Sequence, residues 1–151
     1  MRNLFDATVA DQVKTRLAQL EPQSERRWGK MNAAQMLAHC SLSMQWAVGE
    51  TVPEKGPLAV RLIGRLVKPM VFRNEDPLRK NSPTAKSLIV SDERDLGKER
   101  DRLSGLIDKF AAGGAAGCTR NPHSFFGKMT PEEWAILMYK HLDHHLRQFG
   151  V

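Results

Sequence analysis

Apolar residues recur at helical spacing along most of the chain, and no segment alternates convincingly in the way a half-buried strand does. Asp6 can cap a first helix, which Pro22 ends. The apolar stripe of this helix consists of Val9, Val13, Leu17 and Leu20. Asn32 can cap a second helix that reaches about Gly49. The pattern therefore predicts two helices in the first third of the chain.

The middle of the chain predicts two more helices and a long irregular insert between them. Pro57 fits the first position of a third helix, which extends to about Lys68. The insert, 69–90, contains three prolines and only a weak strand signal at 87–90. A fourth helix is expected from Ser91 or Asp92, and the Gly/Ala-rich stretch 111–117 is expected to break it. Its apolar face consists of Leu96, Leu103, Leu106, Ile107 and Phe110.

The last helix has the clearest start. Thr130 and Glu133 form a capping box around Pro131, which suits the first helical position. The helix extends through Gln148, and Gly150 stands where a left-handed C-terminal residue is favoured. The pattern predicts an all-α fold: an up-and-down four-helix bundle with an additional short helix and a long irregular insert, formed by residues 1–151 as a single domain.

Composition and charge narrow the functional class only modestly. The 151 residues carry a net charge of +6, but the basic residues are scattered among acids, so we expect no nucleic-acid partner. No apolar run reaches 18 residues and the N-terminus lacks a signal-peptide core, so we expect a cytoplasmic protein and no membrane partner. Two cysteines, Cys40 and Cys118, form no disulfide framework.

Two histidines on the last helix are candidate metal ligands. His141 and His145 are four residues apart, so both rings lie on one face of the helix, one turn apart. Such a pair also occurs by chance, and on spacing alone an ordinary pair of histidines is the better interpretation. The same face carries Met138 and Trp134, which are residue types of the interior. The pair is therefore expected to point into the bundle.

A third histidine strengthens the hypothesis. His39 lies in the middle of the second helix, and three buried imidazoles without partners would leave unsatisfied polar atoms costing about 1–3 kcal/mol each. A metal ion removes that cost. His144 can replace His145 as a ligand or act from the adjacent flank, and the Gln148 amide can orient a ligand ring or hold a bound water.

Several segments together resemble the DinB/YfiT-like superfamily of metalloenzymes, in particular an uncharacterised bacterial branch of it. The segments are 35–40 (QMLAHC), 81–85 (NSPTA), 123–134 (HSFFGKMTPEEW) and, most specifically, 141–150 (HLDHHLRQFG). The resemblance covers nearly the whole chain. One departure is visible: the branch commonly has proline after the histidine that matches His123, whereas here Ser124 follows it and Pro122 precedes it.

The resemblance implies a four-helix bundle, often dimeric, with one divalent transition metal bound by His39, His141 and His145. Zinc and nickel are the ions we expect, and the small-molecule substrate is not identified by the sequence. Some superfamily members use a low-molecular-weight thiol as nucleophile, and others are hydrolases or isomerases. An ion held by three neutral histidines keeps its charge and an open position, at which the pKa of a water or a thiol falls. The catalytic residues remain unknown, and His123, His144 and Gln148 are the polar candidates near the metal.

Two alternatives to a metal-dependent enzyme are also compatible with the sequence. The chain can be a non-catalytic interaction module with a structural or vestigial metal site. The third helix carries Arg61, Arg65 and Lys68 beside apolar residues and can lie on a membrane or a partner, although a core helix with a solvated basic face is the interpretation we favour. Trp46 can line a pocket beside the metal, but a core position is the more ordinary role.

Overall fold

A computed structural model describes residues 1–151 and is all-helical. Five α-helices follow one another along the chain: α1 (Ala7–Leu17), α2 (Ala33–Ala47), α3 (Leu58–Val71), α4 (Leu96–Gly117) and α5 (Pro131–Gln148). A single 3-10 turn at Lys86–Leu88 interrupts the long segment between α3 and α4. None of the helices is both long enough and apolar enough to span a membrane.

The predicted N-terminal caps of α1, α2 and α5 are confirmed. The Asp6 carboxylate accepts from backbone amides in the first turn of α1. Asn32 with Gln35, and Thr130 with Glu133, form complete capping boxes at the starts of α2 and α5. These caps satisfy amides that lack partners within the helix, which is why α2 and α5 begin where the sequence indicates.

The middle of the chain departs from the predicted boundaries. Pro57 is the residue before α3 rather than its first residue, and α3 extends past Pro69 to Val71. The predicted start of α4 at Ser91 or Asp92 is wrong, because the Asp95 side chain caps the helix by accepting from the Lys98 amide. The strand signal at 87–90 is also wrong. A strand needs a neighbour to satisfy its backbone groups, and this all-helical chain offers none.

The predicted break at 111–117 is confirmed at Gly114. This residue adopts the non-helical angles φ 52° and ψ −149°, so two helical segments meet there across a kink within the range Leu96–Gly117. Glycine reaches this conformation at little cost, which is why the kink falls in the glycine-rich stretch.

Helix α2 is the central element of the core. It packs against α4 and α5, and α1 packs against the same two helices. Almost every residue of α2 is buried, including Met36, Leu37 and Met44. A helix that is apolar on most sides must be enclosed by others. The polar residues that α2 buries therefore need partners inside the protein.

Helix α3 contradicts the favoured sequence interpretation. Its only buried residue is Gly64. The apolar residues expected to pack into the core are instead largely exposed, with side chains such as Leu62 and Leu66 at 51% and 78%. The helix carries the strongest separation of apolar and polar faces in the chain, but the apolar face points outward. Helix α3 is thus a surface element and not a core helix.

Candidate metal centre

Three histidines meet where α2 contacts α5. His39 extends from the middle of α2, and His141 and His145 extend from successive turns of α5. The three ring centroids are 4.8–4.9 Å apart in every pairing. One ring nitrogen from each histidine lies within 4.8 Å of the other two, and the Nε2 atoms of His39 and His141 are 3.0 Å apart. His39 and His145 are buried, and His141 is intermediate in exposure as a whole residue.

The hydrogen bonds of His39 fix its tautomer. Its Nδ1 lies 2.8 Å from the backbone oxygen of Leu88. A carbonyl oxygen only accepts, so Nδ1–H is the donor in this bond. In the neutral ring the other nitrogen, Nε2, then carries a lone pair and no proton. That lone pair faces the cluster.

The same argument applies to His145. Its Nδ1 lies 2.8 Å from Oε1 of Gln148, and Nε2 of Gln148 donates to the backbone oxygen of Trp28 at 2.6 Å. Because the Trp28 carbonyl can only accept, the amide of Gln148 must present its oxygen to the histidine. His145 therefore donates from Nδ1 and keeps a lone pair on Nε2.

His141 is oriented by a serine. Oγ of Ser43 lies 3.0 Å from Nδ1 of His141 and 2.9 Å from the backbone oxygen of Cys40. The Ser43 hydroxyl proton goes to the carbonyl, so the hydroxyl oxygen accepts from His141 Nδ1–H. All three histidines thus donate outward from Nδ1 and direct an unprotonated Nε2 inward.

Burial keeps these rings neutral. Removal from solvent and, to a smaller extent, the nearby His39 ring together lower the pKa of His145 to about 3. Burial likewise lowers the pKa of His39, against the opposing effect of its bond to Leu88, and holds the pKa of His141 well below its ordinary value. Neutral imidazole is the form that ligates metals. The cluster is therefore in its metal-ligating protonation state at neutral pH.

The donor set fits one transition-metal ion. Imidazole nitrogens bind zinc at about 2.0–2.1 Å, which places two nitrogens of a tetrahedral site about 3.3 Å apart. The 3.0 Å separation of His39 and His141 is close to that spacing, whereas the three ligand atoms together lie only within 4.8 Å of one another, so the rings must draw closer around an ion. Each ligand also has the outward Nδ1 hydrogen bond that fixes ring orientation in metal sites. Without a cation, three inward lone pairs would repel one another.

The remaining predicted residues lie around the triad in different ways. Gln148 contacts His145 directly, as described above. The His144 ring is 5.0 Å from that of His145, its Nδ1 bonds to the backbone oxygen of Leu78 at 3.1 Å, and the Trp28 ring packs against it at 5.5 Å. The Lys80 ammonium lies 4.3 Å from the Trp28 ring centroid on the same side of the site.

His123 and Trp46 form a separate aromatic group. The His123 ring contacts Trp46 at 5.8 Å, Trp134 at 5.3 Å and Phe126 at 5.2 Å. Its Nδ1 accepts from the backbone amides of Phe125 and Phe126, so it organises the turn that closes between His123 and Gly127. Enclosure lowers the pKa of His123 to about 4. Trp46 is buried in the core beside this group.

Four contributors to the site were not predicted from the sequence. The place of Ser43 in the site could have been predicted, since it lies one turn after His39 on the same helix face. The backbone oxygens of Leu88 and Trp28 leave no signal, because any residue supplies a carbonyl. Gly29 has φ +80°, and a Cβ there would overlap the Gln148 amide, so glycine is needed where Gln148 approaches the backbone.

Fold and site define an all-helical protein with a buried cluster of three histidines that can bind a metal ion. The sequence profile of the DUF1569 family, described as a protein of unknown function, matches residues 2–150. The chain therefore belongs to the DUF1569 family. Searches of curated proteins and of solved structures give no match.

Proposed function

We propose that this chain is a DinB-like metalloprotein that binds one divalent transition metal, zinc or nickel, through Nε2 of His39, His141 and His145. One observation carries the proposal. Three neutral imidazoles from two helices direct their lone pairs toward one point, and each is fixed there by an Nδ1 hydrogen bond. The proposal includes the four-helix-bundle architecture of that superfamily, a homodimeric assembly and a cytoplasmic location.

The proposed activity is that of a metal-dependent enzyme of the thiol-transferase or hydrolase type acting on a small molecule. A bound ion supplies Lewis acidity and lowers the pKa of a water or of a low-molecular-weight thiol co-substrate. Three neutral ligands leave that ion its full charge.

His144 is the proposed proton acceptor beside the metal. Its Nδ1 is engaged by the Leu78 carbonyl, so its Nε2 is an available lone pair on a half-buried ring next to His145. That free lone pair is what a proton acceptor needs, and burial lowers the pKa of His144. His123 is less suited, because its Nδ1 accepts from two backbone amides, so the neutral ring carries its proton on Nε2 and has no free lone pair.

Metal analysis tests the binding proposal. Protein produced without a histidine tag is stripped with a chelator, reloaded separately with zinc and nickel, desalted and analysed for metal content. About one ion per chain is expected for the unaltered protein and for His144→Ala, and none for His141→Ala. A chain that retains no ion after reloading would falsify the proposed site.

Cobalt substitution separates an enzyme from a non-catalytic interaction module. An open site should show a new sulfur-to-cobalt charge-transfer band when a low-molecular-weight thiol is added, because the thiolate enters the free position. Azide should shift the visible bands in the same way. A cobalt spectrum that responds to neither ligand supports the alternative, a module whose metal only ties α2 to α5.

A further inference from the structure

The outer face of α3 presents an apolar surface to solvent. Its large side chains have exposed fractions between 51% and 78%, and they are Leu58, Leu62, Ile63, Leu66 and Met70. At about 100° per residue these positions occupy one continuous side of the helix. Isolated exposed leucines are ordinary on protein surfaces, but a contiguous row on one helix indicates a contact surface. We call these five residues the outer face of α3.

This outward orientation is fixed by contacts on the opposite side of α3. Gly64 lies so close to the backbone of Phe125 that a Cβ there would overlap the Phe125 carbonyl. At the C-terminal end, Nζ of Lys140 donates to the backbone oxygen of Val71 at 2.7 Å, and Lys68 pairs with Glu133 at 2.8 Å. Rotating α3 to bury its leucines would break all three contacts. The apolar face is therefore held outward by the fold.

The charged residues within α3 itself are all basic. Between residues 55 and 73 there is no acidic residue, while the basic ones are Lys55, Arg61, Arg65, Lys68 and Arg73. Only Lys68 is in an ion pair; the other four have no acidic partner within salt-bridge distance. Arg61 and Arg65 border the outer face along one edge of the helix. The surface thus combines exposed apolar side chains with uncompensated positive charge.

These charges argue against a second copy of the chain as the occupant. In a two-fold dimer that packs α3 antiparallel on itself, each edge of the helix meets the same edge of the partner. Arg61 and Arg65 would then face the partner's equivalent arginines, and α3 carries no acid to compensate them. A complementary partner has negative charges beside the two arginines and apolar groups against the outer face of α3.

We propose that α3 docks the protein on an anionic membrane surface. The outer face enters the boundary between headgroups and acyl chains, and Arg61 and Arg65 contact acidic headgroups at its edge. An amphipathic helix with an apolar side and a basic border binds membranes in this in-plane manner. The inference departs from the sequence-based expectation of no membrane partner and takes up the alternative that the third helix lies on a membrane. It is independent of the metal site.

Vesicle co-sedimentation of the full chain tests the proposal. The two lipid preparations are pure phosphatidylcholine and phosphatidylcholine with about one third phosphatidylglycerol. The protein should sediment with the acidic vesicles, bind the neutral ones at least about tenfold more weakly, and be released as salt is raised. Binding equally to both compositions, or to neither, would overturn the proposal.

Two double variants locate the contact. Leu62→Ser with Leu66→Ser removes apolar area, and Arg61→Gln with Arg65→Gln removes charge; each should lower binding to acidic vesicles by about tenfold or more. Ile89→Ser, another exposed apolar position, and Lys30→Gln with Lys98→Gln, which removes the same charge elsewhere, should bind as the unaltered chain does. Circular dichroism checks that every variant is folded.

Sedimentation velocity without lipid tests the alternative that a second copy of the chain covers the outer face of α3. A chain whose self-association does not depend on the outer face should keep its sedimentation coefficient in the Leu62→Ser, Leu66→Ser variant. If that variant converts a dimer to a monomer and the unaltered chain ignores acidic vesicles, the outer face is a homodimer interface and the membrane proposal fails.

Discussion

Two regions of this molecule reverse the usual placing of polar and apolar side chains. The contact between α2 and α5 buries histidine, serine and glutamine, whereas α3 exposes leucine, isoleucine and methionine. In the first region nearly every polar side-chain atom has a hydrogen-bond partner in the protein. The Nε2 atoms of the three histidines instead face one another, and none of them carries a proton to donate. In the second, the apolar face has no partner in the protein. Each reversal leaves groups that the chain itself does not satisfy, and we propose a cation as the partner in the first region and a lipid surface in the second.

The largest expected effect is an increase in the stability of the folded chain when metal binds where α2 contacts α5. A ligand that binds only the folded state at a thousand times its Kd stabilises it by about 4 kcal/mol, or about 8–16 °C in Tm for a chain of this size. Calorimetry of metal-free and metal-loaded protein should show that gain, and His39→Ala should abolish it. The stripped protein should still be helical and melt cooperatively, because the core is built from α1, α2, α4 and α5. An unfolded metal-free chain would mean that the ion builds the fold.

The next effect concerns the outward hydrogen bonds of the ligands. Gln148→Leu removes the acceptor of His145 Nδ1–H and the donor to Trp28. Loss of such a partner lowers metal affinity by about 10–100-fold. Competition with a chromophoric chelator measures it, with Gln19→Leu, an exposed glutamine outside the site, as the matched control. Unchanged affinity in Gln148→Leu would mean that the hydrogen bond serves only the packing of α5.

Neutral His123 by itself contributes a pH-dependent stability of about 2 kcal/mol. Its pKa is about 4 in the folded state, against an ordinary value of 6.5. The unfolded chain therefore takes up the proton first, so the stability due to neutral His123 is complete above pH 6.5 and is lost as the pH falls toward 4. At pH 5 the loss is about 2 kcal/mol.

Urea unfolding between pH 7 and pH 4 measures this effect in metal-free protein. His123→Asn keeps an acceptor for the two backbone amides but does not titrate, so its stability should fall less steeply with pH. Parallel pH dependences in the two proteins would show that folding does not lower the pKa of His123.

The smallest effect tests whether α3 is an exterior element. Leu66→Ala should change the free energy of unfolding by less than about 0.5 kcal/mol, because the side chain is 78% exposed. Leu103→Ala, at a fully buried position of α4, should cost about 2–5 kcal/mol. Equal costs for the two leucines would place Leu66 in a covered interface, as in a stable dimer, and remove the contrast between the two regions.

The sequence by itself determined features that depend on neighbours along the chain. The caps at Asp6, Asn32 and Thr130 follow from side chains within three residues of the amides they satisfy. The common face of His141 and His145 follows from helical periodicity alone. The boundary of α4 was less determinate, because several acidic residues before it are acceptable caps and only Asp95 is used.

Only the tertiary structure decided which partners these local elements meet. His39 joins the other two histidines because α2 packs on α5, and the carbonyls of Leu88 and Trp28 anchor the site although a backbone oxygen has no residue-specific signal. The apolar stripe of α3 predicted an amphipathic helix. It did not predict what its apolar face contacts, because the hydrophobic effect is non-directional. Gly64 against Phe125 settles that this face lies outside, since a backbone contact of that kind is formed only once distant segments have packed.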